Sequence, residues 1–241
     1  SVILHDVGIS CRRIVNGLKE LHIDMAQVEG IFISHEHSDH IAGLQQLLKR
    51  FDIPVYTKQR TWREIQDKLV VPKNQLIELT KGSLTLGNLI VEPFAVSHDA
   101  ADPIGINVFS GKDKATVVTD TGIISDDILH RIDDSTLLVL EANYDPHMLR
   151  FGPYQPFLKQ RVASDKGHLS NEMAAQALLM MKRPDFMQVI LAHRSENNNN
   201  AVLVTQTIGK MLVDGGVRIG SEMKLQHGQP NEIVSMQSIK R

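Results

Sequence analysis

Ser34-His35-Glu36-His37-Ser38-Asp39-His40 sets three imidazoles and a carboxylate within the six positions from His35 to His40. Neutral imidazole is the commonest nitrogen ligand of zinc and its first-row neighbours, and a carboxylate set among histidines can ligate a metal or take a proton. Asp39 is therefore read both as a ligand and as a catalytic carboxylate. His35 and His37 lie two residues apart and point the same way while the chain is extended. Asp39 and His40 come after a turn, so one corner offers donors in two directions, which suits a pair of metal ions better than one. A histidine-rich surface loop is the plain alternative; the apolar residues on both sides, which bury the corner, argue against it. Single donors recur at Asp6, His98, Asp120 and His193. Each alone reads as a satisfied polar residue closing a strand. Beside the cluster they read as the missing ligands.

Such donors need elements to carry them. Gly30-Ile31-Phe32-Ile33 runs into the cluster, Val2-Ile3-Leu4 precedes Asp6, and Leu89-Ile90-Val91 leads toward His98. Thr116-Val117-Val118-Thr119 ends on Asp120, and Val189-Ile190-Leu191-Ala192 ends on His193. These are strands delivering a donor at their carboxyl ends, where open α/β architectures gather their chemistry. Ile41, Leu44, Leu47 and Leu48 predict a helix over 40–50; Ile14, Leu18 and Leu21 predict another, with Cys11 packed at its start. A strand at Val55-Tyr56 and a short helix over 61–68 follow. The stretch 75–96, with Gly82 and Gly87, predicts hairpins, and further strands fall near 104–109, 115–119 and 136–141. Ser170 caps a helix that stops before Pro184, and Asn197 to Asn200 form a loop and N-cap for a helix over about 200–213. The pattern is α/β: two sheets face to face with helices outside, in one domain spanning 1–241.

Composition fits that picture. The chain has 241 residues, 42% of them hydrophobic, enough for one large core or two fused half-domains. It holds no run of 18 apolar residues, so no membrane insertion is expected. One cysteine, Cys11, excludes an internal disulfide and fits the reducing cytoplasm. The formal net charge of -2 does not favour nucleic acid overall, so any such binding must come from a local patch.

The order His-x-His-x-Asp-His, then a single His, a single Asp and a last His, resembles the metallo-β-lactamase superfamily of αββα hydrolases. Later motifs are similar to its YycJ/WalJ (VicX) branch of bacterial metal-dependent exonucleases acting on DNA: Ser97-His98-Asp99-Ala100-Ala101-Asp102-Pro103, Thr119-Asp120-Thr121-Gly122, Glu141-Ala142-Asn143-Tyr144-Asp145, Gly167-His168-Leu169-Ser170-Asn171 and His193-Arg194-Ser195-Glu196-Asn197-Asn198. The resemblance runs from Asp6 to about Asn200. It implies a four-layer αββα fold and two divalent metal ions, zinc first because nitrogen ligands dominate, with manganese a competitor. One ion would take His35, His37 and His98, the other Asp39, His40 and His193, with Asp120 between them. A water held between two such ions loses a proton near neutral pH. Asp6 would receive an N–H from a ligand histidine and fix its tautomer; its alternative is a plain strand-end turn residue. The chain opens without Met on the strand that ends in Asp6. Since the superfamily carries two earlier strands as an edge hairpin, the reading expects a short N-terminal segment to be missing.

Two residues separate a nuclease from a small-molecule hydrolase. In the related RNase J-like nucleases a Gly-His element precedes the last ligand histidine, and its histidine contacts the scissile phosphate beside an acidic residue. Gly167-His168, 25 positions before His193, and Glu141, closing Thr136-Leu137-Leu138-Val139-Leu140, match that pair. His168 is read as general acid or phosphate contact and Glu141 as its orienting partner; a simple helix-capping role is the alternative for His168. The clamping insert of the RNase J group is absent. In its place Arg150, Lys159, Arg161 and Lys166 interleave with Phe151, Tyr154 and Phe157, and Pro153 and Pro156 stiffen the backbone. Lys159 and Arg161 are candidate contacts to substrate phosphates, and the aromatics could stack on a frayed end or simply pack on the core. Lys58, Arg60 and Arg63 beside Trp62 form a second basic patch or a solvated helix face. The leading expectation is a DNA exonuclease acting 5′ to 3′ through a metal-bridging hydroxide. The alternatives are a small-molecule hydrolase of the same fold, opening a thioester, lactone or β-lactam, and a metal-dependent binding protein without turnover.

Overall fold

Apolar and β-branched runs set the strands of this computed structural model, which describes residues 1–80, 82–229 and 232–236. Packing divides the chain into two compact units: Ser1–Ala95 with Ala100–Ile104, and Val96–Asp99 with Gly105–Arg241. Among the described residues no helix is long and apolar enough to cross a membrane.

The first unit contains β1 (Val2–His5), α1 (Cys11–Glu20), β2 (Val28–Phe32), α2 (Ser38–Ile41), α3 (Leu44–Arg50), β3 (Val55–Thr57), α4 (Gln59–Lys68), β4 (Leu76–Glu78), β5 (Leu84–Leu86) and β6 (Leu89–Ala95). β1 to β4 make a four-stranded sheet in sequence order, and every neighbouring pair is parallel. Ile31 and Ile33 from the β2 edge pack with Leu44 and Leu47 of α3 and with Trp62 and Ile65 of α4. Each such side chain taken from water contributes about 1.5–3 kcal/mol, which is what holds short helices against the sheet. The helix expected over 40–50 is two. Gly43 interrupts it because its amide bonds the Val7 carbonyl at 2.8 Å, a direction an uninterrupted helix would not allow. The hairpins expected over 75–96 reduce to one, β5 with β6; β4 instead pairs in parallel with β3. Trp62 is buried in the core, and Arg60 and Arg63 lie on an exposed helix face.

The second unit contains β7 (Ile104–Ser110), β8 (Asp113–Val118), α5 (Asp126–Ile132), β9 (Leu137–Glu141), α6 (Pro146–Phe151), α7 (Pro156–Val162), α8 (Asn171–Met180), β10 (Met187–Ala192), α9 (Ala201–Asp214) and β11 (Met223–His227). β7 and β8 form an antiparallel hairpin, and β8, β9, β10 and β11 follow side by side in parallel. The register pairs Val118 with Leu140 and Glu141 with Ala192, so the residues just past β8, β9 and β10 emerge together. Ser170 caps α8 through its hydroxyl at 3.2 Å from Met173 N, and Asn200 caps α9 at 2.9 Å from Leu203 N. The segment read as a stiffened loop carries two short helices, each opening on a proline at its first turn, where the missing N–H costs nothing.

Candidate metal centre

In the first unit the donors gather where β1 and β2 end. Asp6 extends the ladder by one bond, its amide to the Phe32 carbonyl at 2.8 Å, and then turns left-handed with φ 56°. That turn sets its carboxylate against Ser34: Oδ1 accepts the Ser34 amide and Oδ2 the Ser34 hydroxyl, both at 2.8 Å. His40 Nδ1 stands 2.7 Å from the same Oδ2. Burial alone would raise the Asp6 carboxyl, but His5 and the bond from His40 outweigh it and hold it well below the usual carboxylate range. An anionic Asp6 fixes the proton of His40 on Nδ1, and His40 Nε2 lies 3.7 Å from Asp39 Oδ2. His35 Nε2 and His37 Nδ1 lie 3.0 Å apart. Two nitrogens on one tetrahedral zinc, each at about 2.0–2.1 Å, would sit about 3.3 Å from one another, so the pair fits a shared ion. Asp39 has 66% of its side chain exposed. Gly8 makes room for it, since a Cβ there would lie 1.6 Å from the Asp39 carbonyl oxygen.

In the second unit Asp120, Glu141, His168 and His193 bring one ligand atom each within 4.8 Å of the others. Glu141, closing β9 and fully buried, is the hub. Its Oε1 accepts from His168 Nδ1 and from His193 Nδ1, each at 2.8 Å. Its Oε2 accepts the amides of Thr121 at 3.1 Å and Leu169 at 3.2 Å. Burial would raise the Glu141 carboxyl; the bonds from both histidines override it and hold it well below the ordinary range. The reciprocal effect falls on His168, where burial would lower the imidazole and Glu141 raises it above its ordinary value. With Nδ1 on Glu141, His193 sets Nε2 3.5 Å from Asp120 Oδ1, and His168 Nδ1 lies 3.6 Å from the same oxygen. His98 is arranged alike by a different acceptor: its Nδ1 meets the Gly167 carbonyl at 3.0 Å, and Nε2 lies 3.6 Å from Asp120 Oδ1. Burial lowers the His98 imidazole against the raising influence of Asp120, which favours the neutral, ligating form. Gly167 admits this approach because its Cα packs on the α7 end, where a Cβ would lie 2.2 Å from the Val162 carbonyl.

Imidazoles oriented through one ring nitrogen and set beside carboxylates are the donor set a divalent ion requires. Glu141 serves it from behind, because both of its oxygens are committed to N–H groups. Three contacts were not legible from residue types: the hold of Glu141 on His193, Ser34 between Asp6 and the ring nitrogens of His35 (2.9 Å) and His40 (3.3 Å), and Asn143 Nδ2 on the His193 carbonyl at 2.8 Å. Their only signal was position, since each stands at or just past a strand end. Of the candidate phosphate contacts, Arg161 is ion-paired with Asp99, and Lys159 Nζ bonds the Arg150 carbonyl at 2.8 Å.

A family model described as the Beta-lactamase superfamily domain matches residues 3–193. The chain is 33% identical over 239 residues to the exodeoxyribonuclease YycJ of Bacillus anthracis, covering 98% of this chain and 90% of that protein. It is 31% identical over 242 residues to the exodeoxyribonuclease WalJ of Streptococcus pneumoniae serotype 2, again covering 98% and 90%. Among solved structures, the metallo-β-lactamase fold protein YhfI of Bacillus subtilis superposes with a TM-score of 0.68 at 16% identity, covering 93% of this chain and 83% of that one, a likeness of fold.

Proposed function

Because this chain belongs to the β-lactamase superfamily and is a metal-dependent hydrolase, we propose that it is a DNA exonuclease working from the 5′ end with two divalent metal ions. The observation that carries the reading is the second imidazole on Glu141. Hydrolysis of a thioester, lactone or β-lactam has no need of His168, whereas a departing sugar oxygen needs a proton. His35, His37 and His98 would hold one ion and Asp39, His40 and His193 the other, with Asp120 shared. Zinc is the proposed metal, since five imidazoles stand against two carboxylates in that set. When bound, the ions would lower the pKa of a coordinated water toward neutrality and offset charge developing on phosphate oxygens.

The chain's own residues do the rest. Asp6 and Glu141 fix the tautomers of His40 and His193 and keep their Nε2 atoms available. His168, whose charged form Glu141 favours, would hold a proton at Nε2 for the oxygen leaving phosphorus. Lys159 and Arg161 meet substrate phosphates, Arg161 by exchanging its bond to Asp99. The protein acts as one hydrolase domain in the cytoplasm, in keeping with its single, buried cysteine.

The test offers purified protein, with zinc or manganese, a 5′-phosphorylated, 3′-labelled DNA strand beside a panel of thioesters. The expected result is stepwise shortening of the DNA from its 5′ end, abolished by a chelator and restored by metal, with two ions bound per chain by elemental analysis. Thioester turnover without DNA cleavage overturns the reading.

A further inference from the structure

The chain leaves the sheet at Glu141 and comes back beside that residue at His168, whose ring is bonded to the same carboxylate at 2.8 Å. The segment between is closed at its base by Asn143 N to the Leu169 carbonyl at 3.0 Å and His168 N to the Val162 carbonyl at 2.9 Å. The segment is therefore tethered at its base to the Glu141–His168 pair. Its aromatics divide. Tyr154 and Leu158 pack on a small core of Tyr144, Leu149 and Val162. Phe151 and Phe157 do not: they are 67% and 70% exposed, and they are the only exposed members of the chain's seven phenylalanines. Leaving a phenylalanine in water forgoes about 1.5–3 kcal/mol, so two on one tethered segment point to an occupant.

The charges say which occupant. Over 146–167 stand Arg150, Lys159, Arg161 and Lys166 against the single acid Asp165, in a chain whose net charge is -2. The Arg150 guanidinium lies 5.3 Å from the Phe151 ring centre, and the His147 ring lies 4.6 Å from it. Exposed π faces set among cations match a ligand that alternates flat bases with phosphates. A duplex keeps its base faces stacked, so the match is to an unpaired strand. Resting on the nuclease reading above, we propose that Phe151 and Phe157 form a stacking platform that grips the unpaired bases of a DNA strand beside the site of cleavage.

The test compares two 5′-phosphorylated strands of equal length and charge, one with all its bases and one abasic over its 5′ portion, both with cleavage-resistant phosphorothioate linkages. Binding to the metal-loaded protein is read by fluorescence anisotropy. The unaltered protein is expected to prefer the base-bearing strand by about 10-fold or more, and a Phe151→Ala/Phe157→Ala double variant by less than about 2-fold. As a second readout, Phe151→Trp should show indole quenching by the base-bearing strand and not by the abasic one. A preference that survives the double variant overturns the platform. So does an unaltered protein that cleaves DNA yet binds both strands alike, a result that leaves the nuclease reading standing. A protein that neither binds nor cleaves DNA removes both.

Discussion

A His168→Ala protein is expected to keep its full metal content and to lose DNA hydrolysis by about 10²- to 10⁴-fold, the range that a positioned general acid contributes. Retention of metal follows from the hydrogen bonding. Glu141 Oε1 holds His193 independently of His168, and His98 is oriented by the Gly167 backbone carbonyl, which the substitution leaves in place. His168 is only partly exposed, with ring centres 5.1 Å from His98 and 5.4 Å from His193, so the cavity left is small and lined by polar rings that water can serve. Elemental analysis and single-turnover DNA cleavage on one preparation give both quantities. Activity within a few-fold of the parent would remove His168 from the chemistry. Loss of an ion would make it a ligand and would recast Glu141 as the support of two.

Glu141→Gln should weaken metal binding by about 10- to 100-fold, the usual consequence of removing the group behind a ligating histidine. A carboxylate can accept at both oxygens, and here it accepts from four N–H groups, at 2.8, 2.8, 3.1 and 3.2 Å. An amide cannot. With its oxygen toward the imidazoles, its NH2 faces the amides of Thr121 and Leu169, donor against donor. Turned over, it confronts His168 and His193 and drives their protons to the outward nitrogens. The first arrangement leaves buried donors without an acceptor, at about 1–3 kcal/mol, and the second puts a proton on the Nε2 that His193 would offer a metal. The melting temperature should fall by about 2–4 °C for each of those kcal/mol in a chain of this size. Chelator competition and thermal melting check the two effects separately. Unchanged metal affinity together with unchanged melting would mean that Glu141 is not the hub its bonds describe.

The sequence made the strand framework legible because buried strands are written as short apolar runs, and the runs before His35, Asp120 and His193 end where the strands end. The resemblance of the motifs to the superfamily agrees with the match over residues 3–193. Other features had no local signature. α6 and α7, with six and seven residues, are too short to show helical periodicity, and their best clues were Pro146 and Pro156 at the first turn. β4 looked like half of a hairpin because pairing partner and direction are set by the sheet it joins and not by its own three residues. The break at Gly43 depended on a distant carbonyl, that of Val7. Within the site, residue types named the donors, but which oxygen of Glu141 meets which nitrogen follows from the register of β9 against β10, and no single segment encodes it.

Five non-glycine residues among those described have left-handed backbones, and three of them are Asp6, Asp120 and His193. That conformation costs an L-residue of order 1 kcal/mol, and glycine adopts it freely. The strain is outweighed by what the side chains bond: Asp6 accepts from the Ser34 amide, the Ser34 hydroxyl and His40, and His193 meets Glu141, so glycine at either place would relieve the backbone and orphan buried polar groups at about 1–3 kcal/mol each. Backbone tension at the tips of the strands is thus locked in by the side chains themselves, and a thermostabilised variant is best engineered with those three positions left untouched.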